Sequence, residues 1–230
     1  MNPPVEIWNR RYNAAILSPG NARAKEADPW LARWLEDASG AFPGAGAPPL
    51  RALDLGCGAG RDTAYLLARG YAVTALDFSA GAIALSSRRN PAARHLLADL
   101  RDLDRHLPAG APDNDDWHLV VASLSLHYFT REETLAIFAA IHARLRPGGL
   151  FAFRVNAFDE RGAPPDPTSW APVTSVEDGV PRQYFTEDKI LTALAGRYSI
   201  ISLRKLAIIR HGSEKSLYEV IVLKPEETTS

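Results

Sequence analysis

Residues 53–63 read LDLGCGAGRDT, and the way this stretch turns decides the fold. It begins inside a short apolar strand, RALDL at 51–55, and it ends inside a helix over residues 60–69 that Gly70 closes. Between them lie three glycines, Gly56, Gly58 and Gly60, on alternate positions. Glycine lets the backbone turn sharply and lets a ligand approach without a Cβ in the way. The following helix offers free backbone N–H groups at its start. In an open α/β sheet such a turn lies at the carboxyl edge, where ligands bind.

Downstream, strands and helices alternate. YAVTALD (71–77) reads as a strand ending on Asp77, and Ser79 caps a helix that Asn90-Pro91 stops near Arg89. RHLLAD (94–99) and HLVVAS (118–123) are the third and fourth strands, the latter apolar enough to be covered on both faces. Thr130 and Glu133 have capping-box spacing ahead of a helix with Leu135, Phe138, Ile141 and Leu145 on one face. Arg146-Pro147-Gly148-Gly149 reads as a turn into LFAFRV, the fifth strand. A proline-rich stretch over 157–183 has no period, and Thr186 caps one more helix that Gly196 ends. YSIISLRKLAII and SLYEVIVL then form an antiparallel hairpin, with KPEETTS as a polar tail. This order predicts an α/β fold: a doubly wound, mostly parallel seven-stranded sheet with a C-terminal antiparallel hairpin and helices on both faces.

Upstream, residues 5–39 carry helical spacing, with Trp30, Leu31, Trp34 and Leu35 on one stripe. The Gly-, Ala- and Pro-rich 39–49 is a loop. Residues 1–49 are thus an N-terminal helical cap and loop, too short for a core of their own, on a Rossmann-like core over 50–230. Residues 157–183 are expected to form an insertion or lid.

The glycine spacing separates two cofactor classes. Dinucleotide binders use G-x-G-x-x-G, whereas here Arg61 stands at the third-glycine position. Asp54, two residues before Gly56, suits a cationic ligand such as an ammonium better than a pyrophosphate. Asp77, at the end of the second strand, can hold a ribose diol. An ordinary strand–turn–helix junction explains the glycines but not the pair of acids.

LDLGCGAG resembles the first signature of the class I S-adenosylmethionine-dependent methyltransferases, VTALDFS their second, and LRPGG the turn before their fifth strand. The resemblance covers roughly residues 50–156. It implies that Asp54, Leu55, Gly56, Cys57 and Gly58 surround the methionine part of S-adenosylmethionine. Asp77 is then expected at the ribose, with Phe78 against the adenine and Ser79 beside them. Asp99 and Leu100 meet the adenine edge, and Ser123 and Leu124 line the pocket. Trp8-x-x-Arg11-Tyr12 resembles the start of several such enzymes, where Arg11 or Tyr12 approaches the cofactor or closes the pocket. An amphipathic helix with Trp8 and Tyr12 on one face is the alternative.

The methyl acceptor is less legible. The Asn/Asp-Pro-Pro-Tyr-like tetrad of enzymes acting on nucleic-acid base amines is absent from SLSLHYF (123–129). His127 is a candidate base or a packing histidine, and Tyr128 covers the pocket or joins the core. Arg154 needs a buried partner or faces the substrate with Asn156. HYFTREET, LRPGGLFAFRVN and PRQYFTEDKI resemble small-molecule methyltransferases related to the tellurite-resistance enzymes, which implies a small-molecule acceptor. The competing readings are methylation of RNA or protein, a non-catalytic cofactor-binding module, and an NAD-linked oxidoreductase.

Bulk properties agree. The net charge of −1 with no basic run argues against nucleic acid as partner. One cysteine, Cys57, excludes an internal disulfide and a cysteine-rich zinc site, and no metal is expected. No leader or membrane span is visible, so a cytoplasmic protein is the expectation.

Overall fold

The computed structural model describes residues 5–17, 30–37, 50–110, 117–159, 166–174, 179–210 and 213–226. Two helices, α1 (Val5–Leu17) and α2 (Trp30–Asp37), precede the sheet. Then come β1 (Arg51–Leu55), α3 (Arg61–Ala68), β2 (Ala72–Asp77), α4 (Ala80–Arg89) and β3 (Arg94–Leu97). A 3₁₀ turn leads to α5 (Leu103–His106), and β4 (Trp117–Ser123), α6 (Arg131–Arg144) and β5 (Leu145–Asn156) follow. A two-stranded ribbon, β6 (Val173–Thr174) with β7 (Pro181–Arg182), leads to α7 (Glu187–Leu194) and the hairpin β8 (Ser199–Arg210) and β9 (Ser213–Leu223).

The seven main strands pair in the order β3-β2-β1-β4-β5-β9-β8. β1 to β5 are parallel, and β9 runs antiparallel between β5 and β8. The expected sheet is therefore present. The chain leaves β1 toward β2 and β3 and returns on the other side of β1 as β4. That reversal opens a crevice between the carboxyl ends of β1 and β4.

Each face of the sheet is buried for a reason visible in its residues. On one face Phe138 of α6 meets Phe151 and Phe153 of β5 edge-on, with ring centroids 5.4 and 5.3 Å apart. On the other, Trp30, Leu31 and Trp34 of α2 pack with Leu66 of α3 and Val121 of β4. α2 thus shares the core on this face of the sheet. The Trp30 indole donates to Asp62 at 3.2 Å, which ties α2 to the start of α3.

Three local expectations are refined. Arg146 to Gly149 do not separate α6 from β5 as a free turn; they bulge out of β5, which pairs Trp117 with Leu145 and then Leu119 with Leu150. Gly148 (φ +73°) donates to the Lys224 carbonyl, and Lys224 donates to the carbonyls of His142 and Leu145. The beginning of the polar tail is therefore anchored. Within the proline-rich stretch, Trp170 packs edge-on against buried Phe185, and Lys189 of α7 donates to the Ser169 and Tyr184 carbonyls. The loop expected at 39–49, residues 160–165 and residues 175–178 lie outside the described residues.

Candidate active site

The cleft opens at the β1/β4 crevice. Three of its parts come from one strand–helix–strand unit. Gly56, Gly58 and Gly60 all have positive φ (+74°, +53° and +75°), a region that costs other residues about 1–2 kcal/mol. A Cβ on Gly56 would lie 2.4 Å from Ser125 Cβ, and one on Gly58 would lie 2.6 Å from the Tyr12 hydroxyl. The turn is glycine-rich because the β4 corner and α1 both press on it. Ser125 also donates to the Leu55 carbonyl at 2.7 Å, which locks the two sides of the crevice together.

Asp77 ends β2 and lines the cleft. Its Oδ2 accepts the Gly58 N–H and its Oδ1 the Ser79 N–H, each at 2.9 Å. Burial raises its pKa, and these backbone donors oppose the rise. Each carboxylate oxygen keeps a further lone pair for a ligand hydroxyl. Asp54 instead lies beneath the turn, where Thr63 donates to it at 2.6 Å. Burial, with Asp62 and Asp77 nearby, pushes its pKa up to about 8. Burial beside Asp54 and Asp77 also pushes the Cys57 thiol up, so this cysteine is not poised as a nucleophile.

The far wall begins at Asp99, which accepts from the Arg101 backbone and guanidinium (2.6 Å at its Oδ2) while Arg101 also reaches Glu133 at 3.2 Å. Glu133 closes the capping box of α6 with Thr130, so this charge chain fixes the rim relative to α6. Leu100 lies beside Asp99, and Ser123 and Leu124 follow from the end of β4. Leu124 has φ +58°, strained for a non-glycine residue, and its N–H donates to the Arg154 carbonyl at 2.9 Å.

The remaining end is aromatic. Trp8 and Tyr12 of α1 meet Tyr128 and Phe129 across the cleft. Tyr12 stacks on Trp8 (6.2 Å, 26°), and Tyr128 meets Trp8 edge-on (5.7 Å, 75°). The indole Nε1 of Trp8 is buried and has no hydrogen-bond partner among the described residues. A buried donor in that condition costs about 1–3 kcal/mol.

Of the residues singled out in the sequence, Tyr12, Gly56, Asp77 and Phe78 line the cleft, as do Asp99, Leu100, Ser123 and Leu124. Leu55, Cys57 and Ser79 lie behind this wall, Gly58 sits under Tyr12, and Arg11 lies 4.8 Å from the Trp8 ring centroid. His127 is 2% exposed, behind Tyr128. Arg154 is turned away as well: it donates to Ser123 Oγ, lies over Trp30 and pairs with buried Glu219 at 3.7 Å. Of its two expected partners, the protein carboxylate is the one present. Asn156 ends β5 without lining the cleft; its carbonyl accepts from Phe185. Ser125 and Phe129 line the cleft but carry no motif signal. Trp8 and Tyr128 were legible only as residues that either pack or cover.

A family model described as a methyltransferase domain matches residues 52–149. An uncharacterised methyltransferase of Synechocystis sp. is 35% identical over 105 residues, 46% of each chain. The trans-aconitate 2-methyltransferase of Paracidovorax citrulli is 35% identical over 105 residues, 45% of this chain and 37% of that one. The chain spans about half the length of the curated relatives it matches. In fold it is similar to the crystal structure of a Burkholderia thailandensis 1,6-didemethyltoxoflavin-N1-methyltransferase. The TM-score is 0.65 at 20% identity, over 98% of this chain and 92% of the other.

Proposed function

We propose that this chain, whose residues 52–149 match the methyltransferase-domain family model, transfers the methyl group of S-adenosylmethionine to a small molecule. The observation that carries this reading is Asp77: a buried carboxylate fixed by the Gly58 and Ser79 N–H groups at the switch point, with capacity left for a ribose diol. Gly56, Gly58 and Tyr12 would hold the methionine part of the cofactor, with Asp54 lying beneath the turn. Phe78, Asp99 and Leu100 would hold the adenine, and Ser123 and Leu124 the side facing β4. When bound, the cofactor supplies an electrophilic methyl group on a sulfonium.

What the chain's own residues contribute is position. Among the described residues, those that line the cleft include no histidine, lysine or cysteine. Orientation and exclusion of water can be worth roughly 7–11 kcal/mol without a base. The small size of the acceptor is supported by α1, whose Trp8 and Tyr12 close over the cleft, and by the relative whose name specifies trans-aconitate.

Calorimetry with S-adenosylhomocysteine tests the reading. Wild type is expected to bind it, and Asp77→Ala to lose about tenfold or more in affinity, as for a charge-assisted hydrogen bond. Absence of binding at millimolar ligand, or binding of NADH in its place, would sink the proposal.

A further inference from the structure

Helix α1 brings Trp8 and Tyr12 to the cleft, yet it does not belong to the core that holds the sheet. None of its described residues joins either cluster of buried apolar side chains. What seats it is a corner of the cofactor site itself. Ser79 stands two residues after Asp77 and caps α4, whose first turn has backbone N–H groups that need acceptors. Ser79 Oγ accepts the Ala82 N–H at 3.2 Å. The Gly81 N–H is met from the other helix: Asn9 Oδ1 of α1 accepts it at 3.3 Å. The same oxygen accepts from the Ser79 hydroxyl at 2.7 Å, and the Ser79 N–H donates to Asp77 Oδ1 at 2.9 Å. One short chain of hydrogen bonds thus runs from α1 to the carboxylate proposed for the ribose.

Sterics mark the same seat. Gly81 lies within α4, where glycine is a poor helix former. A Cβ there would lie 2.9 Å from Asn13 Oδ1, 3.1 Å from Tyr12 Cβ and 3.2 Å from the Asn9 carbonyl oxygen. At the far end of the same tyrosine, a Cβ on Gly58 would lie 2.6 Å from the hydroxyl. Tyr12 is therefore bracketed by glycines from two elements, each of which leaves room for α1.

We infer that Asn9 is a positioning residue of the cofactor site. It seats α1 on the corner from Asp77 to Gly81, so that closure of Trp8 and Tyr12 over the cleft and binding of the cofactor are one coupled equilibrium. The inference rests on the S-adenosylmethionine reading. Asn9 does not line the cleft; it acts through Ser79 and Tyr12. Such coupling is reciprocal: the factor by which a seated α1 tightens the ligand is the factor by which the ligand stabilises the seat. Because α1 lies outside the core clusters, it can leave that seat without unfolding the sheet.

The test pairs calorimetry, with S-adenosylhomocysteine as the probe, and hydrogen exchange over residues 5–17. In wild type the ligand is expected to slow exchange in α1 by about fivefold or more, and Asn9→Ala to weaken the ligand by about the same factor, the size of one hydrogen bond. Asn9→Asp keeps the acceptor and puts its charge at the start of α4, so its affinity should stay within about twofold of wild type. Gly81→Ala lifts α1 and should also weaken the ligand. Its urea midpoint should not fall, because alanine is the better helix residue. Asn9→Ala binding as tightly as wild type, Asn9→Asp binding no tighter than Asn9→Ala, or exchange in α1 unchanged by the ligand overturns the inference and leaves the cofactor reading standing. Losses of affinity matched by lowered urea midpoints in both Asn9→Ala and Gly81→Ala overturn it too, since a structural role alone would then account for them. Failure of wild type to bind S-adenosylhomocysteine overturns both readings, and the first titration separates that case.

Discussion

At one end of the cleft, Gly56, Asp77 and Ser79 come from a single strand–helix–strand unit, and their contacts run largely through the backbone. At the other end, Trp8 and Tyr12 come from α1, and Tyr128 and Phe129 from the turn after β4. The glycine end is shaped by φ angles and N–H groups, which side-chain substitution elsewhere cannot easily change. The aromatic end is shaped by side chains on elements far apart in the chain, none of them a strand of the seven-stranded sheet.

The largest expected effect lies behind the β4 wall, where Arg154 bridges Ser123 and Glu219. Glu219 is 2% exposed, and its other partner among the described residues, Arg33, is about half exposed at 3.2 Å. Arg154→Met leaves a buried carboxylate with that weaker partner and should cost about 3–5 kcal/mol. Urea denaturation measures it. Arg154→Met combined with Glu219→Leu should recover most of the loss. A double variant no more stable than the single one would show that Arg154 acts through Ser123 and Trp30 instead.

Gly56→Ala probes the glycine end. The αL backbone and the 2.4 Å approach to Ser125 together should cost about 2–4 kcal/mol. Adding Ser125→Gly removes the clash but not the backbone strain, so recovery should be partial. Full recovery would mean that sterics alone demand glycine there. S-adenosylhomocysteine affinity, read by calorimetry, should fall in Gly56→Ala and stay low in the pair, because the turn itself is displaced.

The difference between the two ends also explains what the sequence disclosed. Gly56, Gly58 and Asp77 are legible because a local backbone geometry needs those residue types at that spacing. The succession of strands and helices and the hairpin follow from hydrophobic period and turn residues, which are equally local. Trp8 and Tyr128 are ambiguous in sequence, since an aromatic on a helix stripe reads as core whether or not a cleft lies beside it. Ser125 carries no signal because its value is a single contact to Leu55 across a parallel crossover. Arg154 announces that it is buried in an apolar strand, but its partner Glu219 lies on β9. Which of the two expected partners it has is a question only the tertiary structure answers.

The smallest expected effect is a response to pH at the glycine end, where Asp54 lies under the turn and burial pushes its pKa up to about 8. In the unfolded chain that carboxyl titrates near 3.9, about the model-peptide value. Between these limits the folded state binds a proton that the unfolded state does not. The stability linked to Asp54 is therefore fully present below about pH 4 and is lost as pH rises through about 8. Thermal unfolding at pH 6 and pH 9 should show wild type losing more stability than Asp54→Asn. The amide keeps an oxygen for the Thr63 hydroxyl but has no proton to lose. Equal losses in the two proteins would place the carboxylate in its ionised form throughout. The glycine end would then hold a permanent negative charge against its ligand rather than one set by pH.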